Sequence, residues 1–170
     1  MNNRVFGITG WKNSGKTTLT ERLVVELTRR GWSVSTVKHA HHAFDIDTEG
    51  TDSFRHRAAG AREVAIVSQN RWALMHELAR ETEPRLDEIL ARLSPCDIVL
   101  VEGYKREPHA KIETRRLAAR DQAPLSRDDP NILAIAADHA LADEALPVFA
   151  LDDVSAIADF IQAATGLRTA

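Results

Sequence analysis

Apolar positions along the chain switch between two spacings. Residues 5–9 (VFGIT) form a short, nearly continuous apolar run of the kind a buried strand carries. The spacing then changes. From about Thr17 to Arg30, Leu19, Leu23, Val24 and Leu27 fall on one helical stripe, and Gly31 ends it. Residues 32–38 alternate and are rich in β-branched side chains, which predicts a second strand, parallel to the first through the intervening helix. A polar stretch, 39–52, leads to a short helix over 53–59 closed by Gly60. Two strands follow, 63–68 and 72–76. The polar connection between them is too short for a parallel crossover, so they predict an antiparallel hairpin and, with it, a mixed sheet.

The second half repeats the alternation. A helix is expected over 83–93, with Pro84 in its first turn. Residues 97–103 (DIVLVEG) are apolar on both faces, as a strand at the centre of a covered parallel sheet must be. Further strands are read at 111–115, a polar one, at 132–136 and at 148–151, and a closing amphipathic helix at 154–164 ends before Gly166. The whole predicts an α/β protein, one domain over 1–170, with a mostly parallel sheet flanked by helices and ligands at the carboxyl ends of its strands.

Between the first strand and the first helix lies Gly10-Trp11-Lys12-Asn13-Ser14-Gly15-Lys16-Thr17-Thr18, which fits G-x-x-x-x-G-K-[ST], the Walker A phosphate loop. Gly10 and Gly15 allow backbone angles that let successive N–H groups curl around a phosphate. Lys16 supplies a compact positive charge for the outer phosphates, and the Thr17 hydroxyl is a ligand for the Mg²⁺ that bridges them. The helix adds its N-terminal partial charge. This loop makes P-loop nucleotide binding the leading expectation.

Two acids bracket the central strand, about 16 Å apart at ~3.3 Å per residue. Only Glu102 lies at the carboxyl end with the phosphate loop, so Glu102 rather than Asp97 is the candidate to position Mg²⁺. A second concentration of chemistry spans 38–52, with Lys38, His39, His41 and His42 followed by Asp45, Asp47, Glu49 and Asp52. The histidine spacing matches no zinc template, and solvated loop histidines are the simpler reading. The same stretch also reads as a cover over the phosphates, hinged at Gly50, that brings Asp47 or Asp52 near the metal.

Composition narrows the class. A net charge of −3 lacks the basic face that nucleic-acid binding needs. Arg115, Arg116 and Arg120 cluster locally and read as a solvated face. The single cysteine, Cys96, makes no internal disulfide, and no apolar run approaches the ~18 residues of a membrane span, so a cytoplasmic protein is expected.

The phosphate loop, Lys38-His39-Ala40-His41-His42, the stretch from Asp47 to Ala61, residues 68–75 (SQNRWALM) and Val101-Glu102-Gly103-Tyr104-Lys105 together resemble the MobB family, the molybdopterin-guanine dinucleotide biosynthesis adapter proteins. The resemblance covers nearly the whole chain. It implies a homodimer of P-loop domains that binds GTP with Mg²⁺ and hydrolyses it weakly at most. It also implies assistance to the guanylyltransferase (MobA) that attaches GMP to molybdopterin, with molybdopterin and apo-molybdoenzymes as further partners. The family's nucleotide loop maps onto residues 10–18, its strand-end acid onto Glu102, and its acidic loop onto Asp47 and Asp52. One departure is Thr51, where the family usually has lysine. For guanine selection the comparable strand-end acid is Asp138, without the Asn and Lys that usually precede it; a base acceptor and an ordinary turn residue are both open readings. The competing class is a P-loop kinase or hydrolase acting on a small acceptor, with residues 115–120 as a thin version of an arginine-rich lid.

Overall fold

Phe6 and Ile8 of β1 (Arg4–Thr9) have no solvent exposure and sit at the middle of the core. The computed structural model describes residues 4–40 and 44–168. The remaining elements are α1 (Lys16–Arg29), β2 (Val34–Lys38), α2 (Asp52–Ala58), β3 (Glu63–Val67), β4 (Trp72–His76), α3 (Leu86–Leu90), β5 (Ile98–Glu102), β6 (Lys111–Arg115), β7 (Ile132–Ala137), β8 (Val148–Ala150) and α4 (Val154–Thr165). No helix among the described residues is long and apolar enough to cross a membrane.

Six strands form one sheet in the order β2-β5-β1-β6-β7-β8, and every pairing in it is parallel. The antiparallel hairpin is present, but β3 and β4 make a two-stranded sheet of their own rather than an edge of the large one. The expected α/β fold therefore stands, with parallel and antiparallel strands segregated instead of mixed in one sheet. By contacts the chain divides into two compact units, 1–39 with 90–170, and 40–89.

In the first unit the helical stripe read from the sequence is the buried one. Leu19, Leu23 and Leu27 are at most 1% exposed and join Ile157 and Ile161 of α4 in one cluster with Phe6, Ile8 and Leu100, while Val24 packs at its margin. Truncating such a leucine costs about 2–5 kcal/mol, which makes this cluster a main support of the fold. Arg30 ties the end of α1 to α4 through Asp159, Gln162 and Ser155. All five residues of β5 are buried, as an interior strand requires.

Two expectations shift. The helix over 83–93 shrinks to Leu86–Leu90: Pro84 disfavours the α region for Glu83, and at the other end the chain leaves the helix in a turn at 91–92. β6, read as polar, is an interior strand with Lys111, Glu113 and Thr114 at most 1% exposed. It tolerates burial because each polar group is paired: Lys111 Nζ donates to Asp129 Oδ2 at 2.7 Å and to the Glu107 carbonyl, and Glu113 accepts from the backbone of Leu125 and Ser126 and from Arg115.

In the second unit, Val64 and Met75 face each other across the hairpin and are 8% exposed. The opposite face carries Val67, Trp72 and Leu74, all exposed.

Candidate functional site

β1 turns into α1 at a topological switch point: β5 and β2 lie on one side of it and β6, β7 and β8 on the other. The connecting loop, residues 10–15, has the curled backbone the motif requires. Gly10 (φ 148°), Asn13 (φ 67°) and Gly15 (φ 95°) all have positive φ. A Cβ on Gly10 would lie 2.4 Å from Ser14 Oγ and 2.5 Å from Thr114 Oγ1, so glycine is required there for space as well as conformation. Thr114 Oγ1 donates to the Thr9 carbonyl at 3.1 Å, and its 2.7 Å contact with Ser14 Oγ therefore has Ser14 as donor. This hydroxyl relay locks the loop onto the end of β6. From outside, Arg120 N donates to the Lys12 carbonyl and Trp11 Nε1 to the Ala123 carbonyl, so residues 116–123 back the loop.

Lys16 reaches back over the loop, its Nζ donating to the carbonyls of Trp11 (2.7 Å) and Gly10 (3.1 Å). Burial lowers its pKa, as do the ammonium groups of Lys105 and Lys38, while Glu102 acts in the opposite direction. The N-terminus of α1 has Gly15 as its cap, with no side-chain capping bond and no acid in the first turn, so its N–H groups face the loop uncapped by any side chain.

Thr17 and Glu102 meet here. Thr17 Oγ1 donates to Glu102 Oε1 at 2.9 Å, and Lys38 Nζ is 3.4 Å from the same oxygen. Glu102 is 8% exposed. A hydroxyl and a carboxylate side by side are hard oxygen donors, which suits Mg²⁺. Asp97 is at the far end of β5, accepting from Ser33 N and Oγ. After Glu102 the chain turns through Gly103 (φ 94°) and Tyr104 (φ 47°), and Lys105 Nζ comes to 4.0 Å from the centre of the Trp11 ring.

Beyond Gly15 and Thr18 opens a cleft of about 620 Å³ lined also by Arg116, Asp138, His139 and Leu151. Asp138 is thus in the same cleft as the end of the phosphate loop. Its Oδ1 accepts from Leu117 N (3.1 Å) and contacts His139 Nδ1 (2.8 Å), while Oδ2 faces Arg116 Nε at 3.4 Å. The His139 hydrogen bond, with help from Leu117 N and Arg116, lowers the Asp138 pKa despite some burial.

The acidic loop belongs to the other unit and is organised within itself. Asp47 Oδ1 accepts from Thr48 N, Thr51 Oγ1 and Ser53 Oγ, and Arg57 binds Asp45 through two oxygens and Glu77 through one. Burial pushes Asp47 up, but those hydrogen bonds outweigh it and its pKa falls. Thr51, where the family resemblance leads one to expect lysine, is the N-cap of α2. Asp52 is exposed beside Arg55. His41 and His42 lie outside the described residues; His39 stacks on Tyr104 with ring centres 4.6 Å apart. No group of three or more His, Cys, Asp or Glu among the described residues is placed to hold a metal ion.

The arginines at 115–120 do not form one solvated face. Arg115 is 10% exposed and bound to Glu113, Glu144 and Ser126, Arg116 lines the cleft, and Arg120 is exposed. Cys96 is half-buried, with its Sγ on the Ile98 carbonyl. Thr114 and the 116–123 support were not visible in the sequence, because their role comes from strand order. The nearest sequence signal is a polar strand where an apolar one is expected.

Comparison with known proteins gives a consistent result. Residues 5–138 match the family model of MobB, molybdopterin guanine dinucleotide synthesis protein B. The chain is similar to the molybdopterin-guanine dinucleotide biosynthesis adapter protein of Haemophilus influenzae, 39% identical across 95% of this chain and 90% of the relative. It is 38% identical to the protein of that name from Escherichia coli, across 92% and 90%. Among solved structures, a MobB homologue from Bacillus stearothermophilus superposes with a TM-score of 0.68 at 31% identity, across 97% of this chain and 99% of that one.

Proposed function

The chain belongs to the MobB family, and from that premise we propose that it is a GTP-binding adapter in the biosynthesis of the molybdopterin guanine dinucleotide cofactor. The observation that carries the nucleotide part is the meeting of Lys16, Thr17 and Glu102 at the carboxyl ends of β1 and β5, beside a loop whose backbone cannot accept a Cβ at Gly10. In this reading residues 10–18 hold the phosphates, and Thr17 and Glu102 hold Mg²⁺, which screens phosphate charge. Asp138 faces the base from the adjoining cleft. Asp47, whose carboxylate organises the acidic loop, stays a candidate metal residue in this reading beside Thr17 and Glu102.

The partner is the guanylyltransferase (MobA) that joins GMP to molybdopterin. The adapter holds GTP for that enzyme's chemistry and turns it over slowly at most, in the cytoplasm. Its active form is a homodimer. The hairpin supports this last element: among the described residues β3 and β4 pair with no third strand, and Val67, Trp72 and Leu74 form an exposed apolar face that a second copy would cover.

The test is GTP turnover and guanine dinucleotide formation with and without the guanylyltransferase and molybdopterin. The adapter reading expects GTP to bind to the chain alone and product yield to rise when both proteins are present. Rapid phosphorylation of a small acceptor by this chain alone would replace it with the kinase reading.

A further inference from the structure

The turn that follows Glu102 is costly to make. Gly103 and Tyr104 are consecutive residues of positive φ, a region that a bulky aromatic rarely adopts. Gly103 could not carry a side chain cheaply, since a Cβ would meet His39 Cβ at 3.1 Å. The turn lays Tyr104 on His39 and sends Lys105 back over the phosphate loop, its ammonium 4.0 Å from the centre of the Trp11 ring. Trp11 is itself fixed by its Nε1 bond to Ala123. Strain at a site is retained when something else requires the geometry, and what this geometry delivers is a cation.

Where the cation arrives is informative. Lys16 Nζ rests on the carbonyls of Gly10 and Trp11, so the tip of the phosphate-binding lysine lies at the start of the loop. Lys105 is seated on the same residue, Trp11, and Lys38 contacts Glu102 beside Thr17. The cleft with Asp138 opens at the opposite end, past Gly15 and Thr18. A nucleotide with its base in that cleft directs its outer phosphates toward Trp11. Acids also act on Lys105, namely Asp121 and Glu113, but Glu113 is bound to Arg115 and two backbone N–H groups, and burial lowers the Lys105 pKa more than either acid raises it.

We propose that Lys105, held on the face of Trp11 by the strained turn at Gly103 and Tyr104, is a positioning residue for the outermost phosphate of a nucleoside triphosphate and makes the site prefer triphosphate over diphosphate. The proposal rests on the nucleotide reading above and adds to it a residue outside the motif and a direction for the phosphate chain. A lysine suits this role because its ammonium is a point charge on a flexible stem, so it leaves an aromatic face for a phosphate oxygen with little rearrangement.

The experiment is calorimetric titration of GTP and of GDP, each with Mg²⁺, into wild type, Lys105→Met, Trp11→Leu and Lys16→Ala, with thermal unfolding of each as a check on folding. Lys105→Met should weaken GTP about tenfold or more, the usual worth of one charge-assisted contact, and GDP by less than about threefold. Trp11→Leu, which keeps the ammonium but removes its seat, should fall between wild type and Lys105→Met for GTP. Unchanged GTP affinity in Lys105→Met, or equal losses for GTP and GDP, overturns the proposal while a loss in Lys16→Ala leaves the nucleotide reading intact. Failure of wild type to bind either nucleotide overturns both.

Discussion

Thr17 Oγ1 and Glu102 Oε1, 85 positions apart in the chain, are 2.9 Å apart in the fold. The contact joins the residue after Lys16 to the last residue of β5, and Lys38 shares the carboxylate. Replacing Glu102 by Gln keeps the shape and removes the charge. We expect Glu102→Gln to lose about tenfold in Mg²⁺-dependent GTP affinity, with little change in affinity measured in EDTA. Full retention of the Mg²⁺ dependence would remove Glu102 from the metal.

Gly10→Ala should be more damaging than its size suggests. The methyl would meet Ser14 Oγ, Thr114 Oγ1 and the Thr114 carbonyl, all within 2.7 Å, at a φ of 148°. We expect a loss of about 1–3 kcal/mol in urea unfolding together with loss of GTP binding. Ser14→Ala separates the two effects, since it removes the relay donor without a clash. It should cost about 1 kcal/mol and weaken GTP less.

Asp138 has one oxygen occupied by Leu117 N and His139 and the other opposite Arg116. If it reads the base, Asp138→Ala should lower the preference for GTP over ATP by about tenfold while leaving ATP affinity nearly unchanged. If both affinities fall together, the carboxylate serves only to hold residues 116–117.

His109 gives a pH signature. Its ring packs against Gly7 with neither nitrogen hydrogen-bonded, and burial, helped by Lys111, pushes its pKa down to about 4. The unfolded chain takes up a proton near pH 6.5, and the folded one resists until about 4. The contribution is therefore fully present above pH 6.5 and is lost as pH falls toward 4. After allowance for partial solvent exposure it amounts to about 1–2 kcal/mol. His109→Phe keeps the ring and cannot titrate. Its stability relative to wild type should rise between pH 7 and 4.5, and parallel curves would refute the assignment.

Trp72→Glu places a charge on the exposed face of the hairpin. Sedimentation should give a particle of twice the chain mass for wild type and a monomer for the variant, with the thermal midpoint little changed. A wild-type monomer at micromolar concentration would rule out the proposed dimer.

What could be read from the sequence was whatever is encoded locally. The phosphate loop is contiguous, and the stripe of Leu19, Leu23 and Leu27 repeats within one helix, so both were legible. Glu102 could be chosen over Asp97 because strand direction alone decides which end faces the loop. Thr114 and Lys105 were not legible as site residues, since each reaches the loop through strand order or through a turn whose dihedrals composition does not report. β6 was legible as a strand, but the burial of its Lys111 and Glu113 was not, since Asp129 and residues 125–126 come to pair with them only in the fold. The single mixed sheet failed because a short turn determines that two strands pair with each other, and says nothing about whether either joins a third.

The unit of residues 40–89 leaves the chain after β2 and the chain returns to the large sheet at β5, and those two strands are neighbours. A segment spliced between adjacent strands can be lengthened, replaced or traded between relatives without rethreading any other strand. A change of length within that unit therefore leaves the pairing of β2 with β5, and the loop at Gly10, as they are.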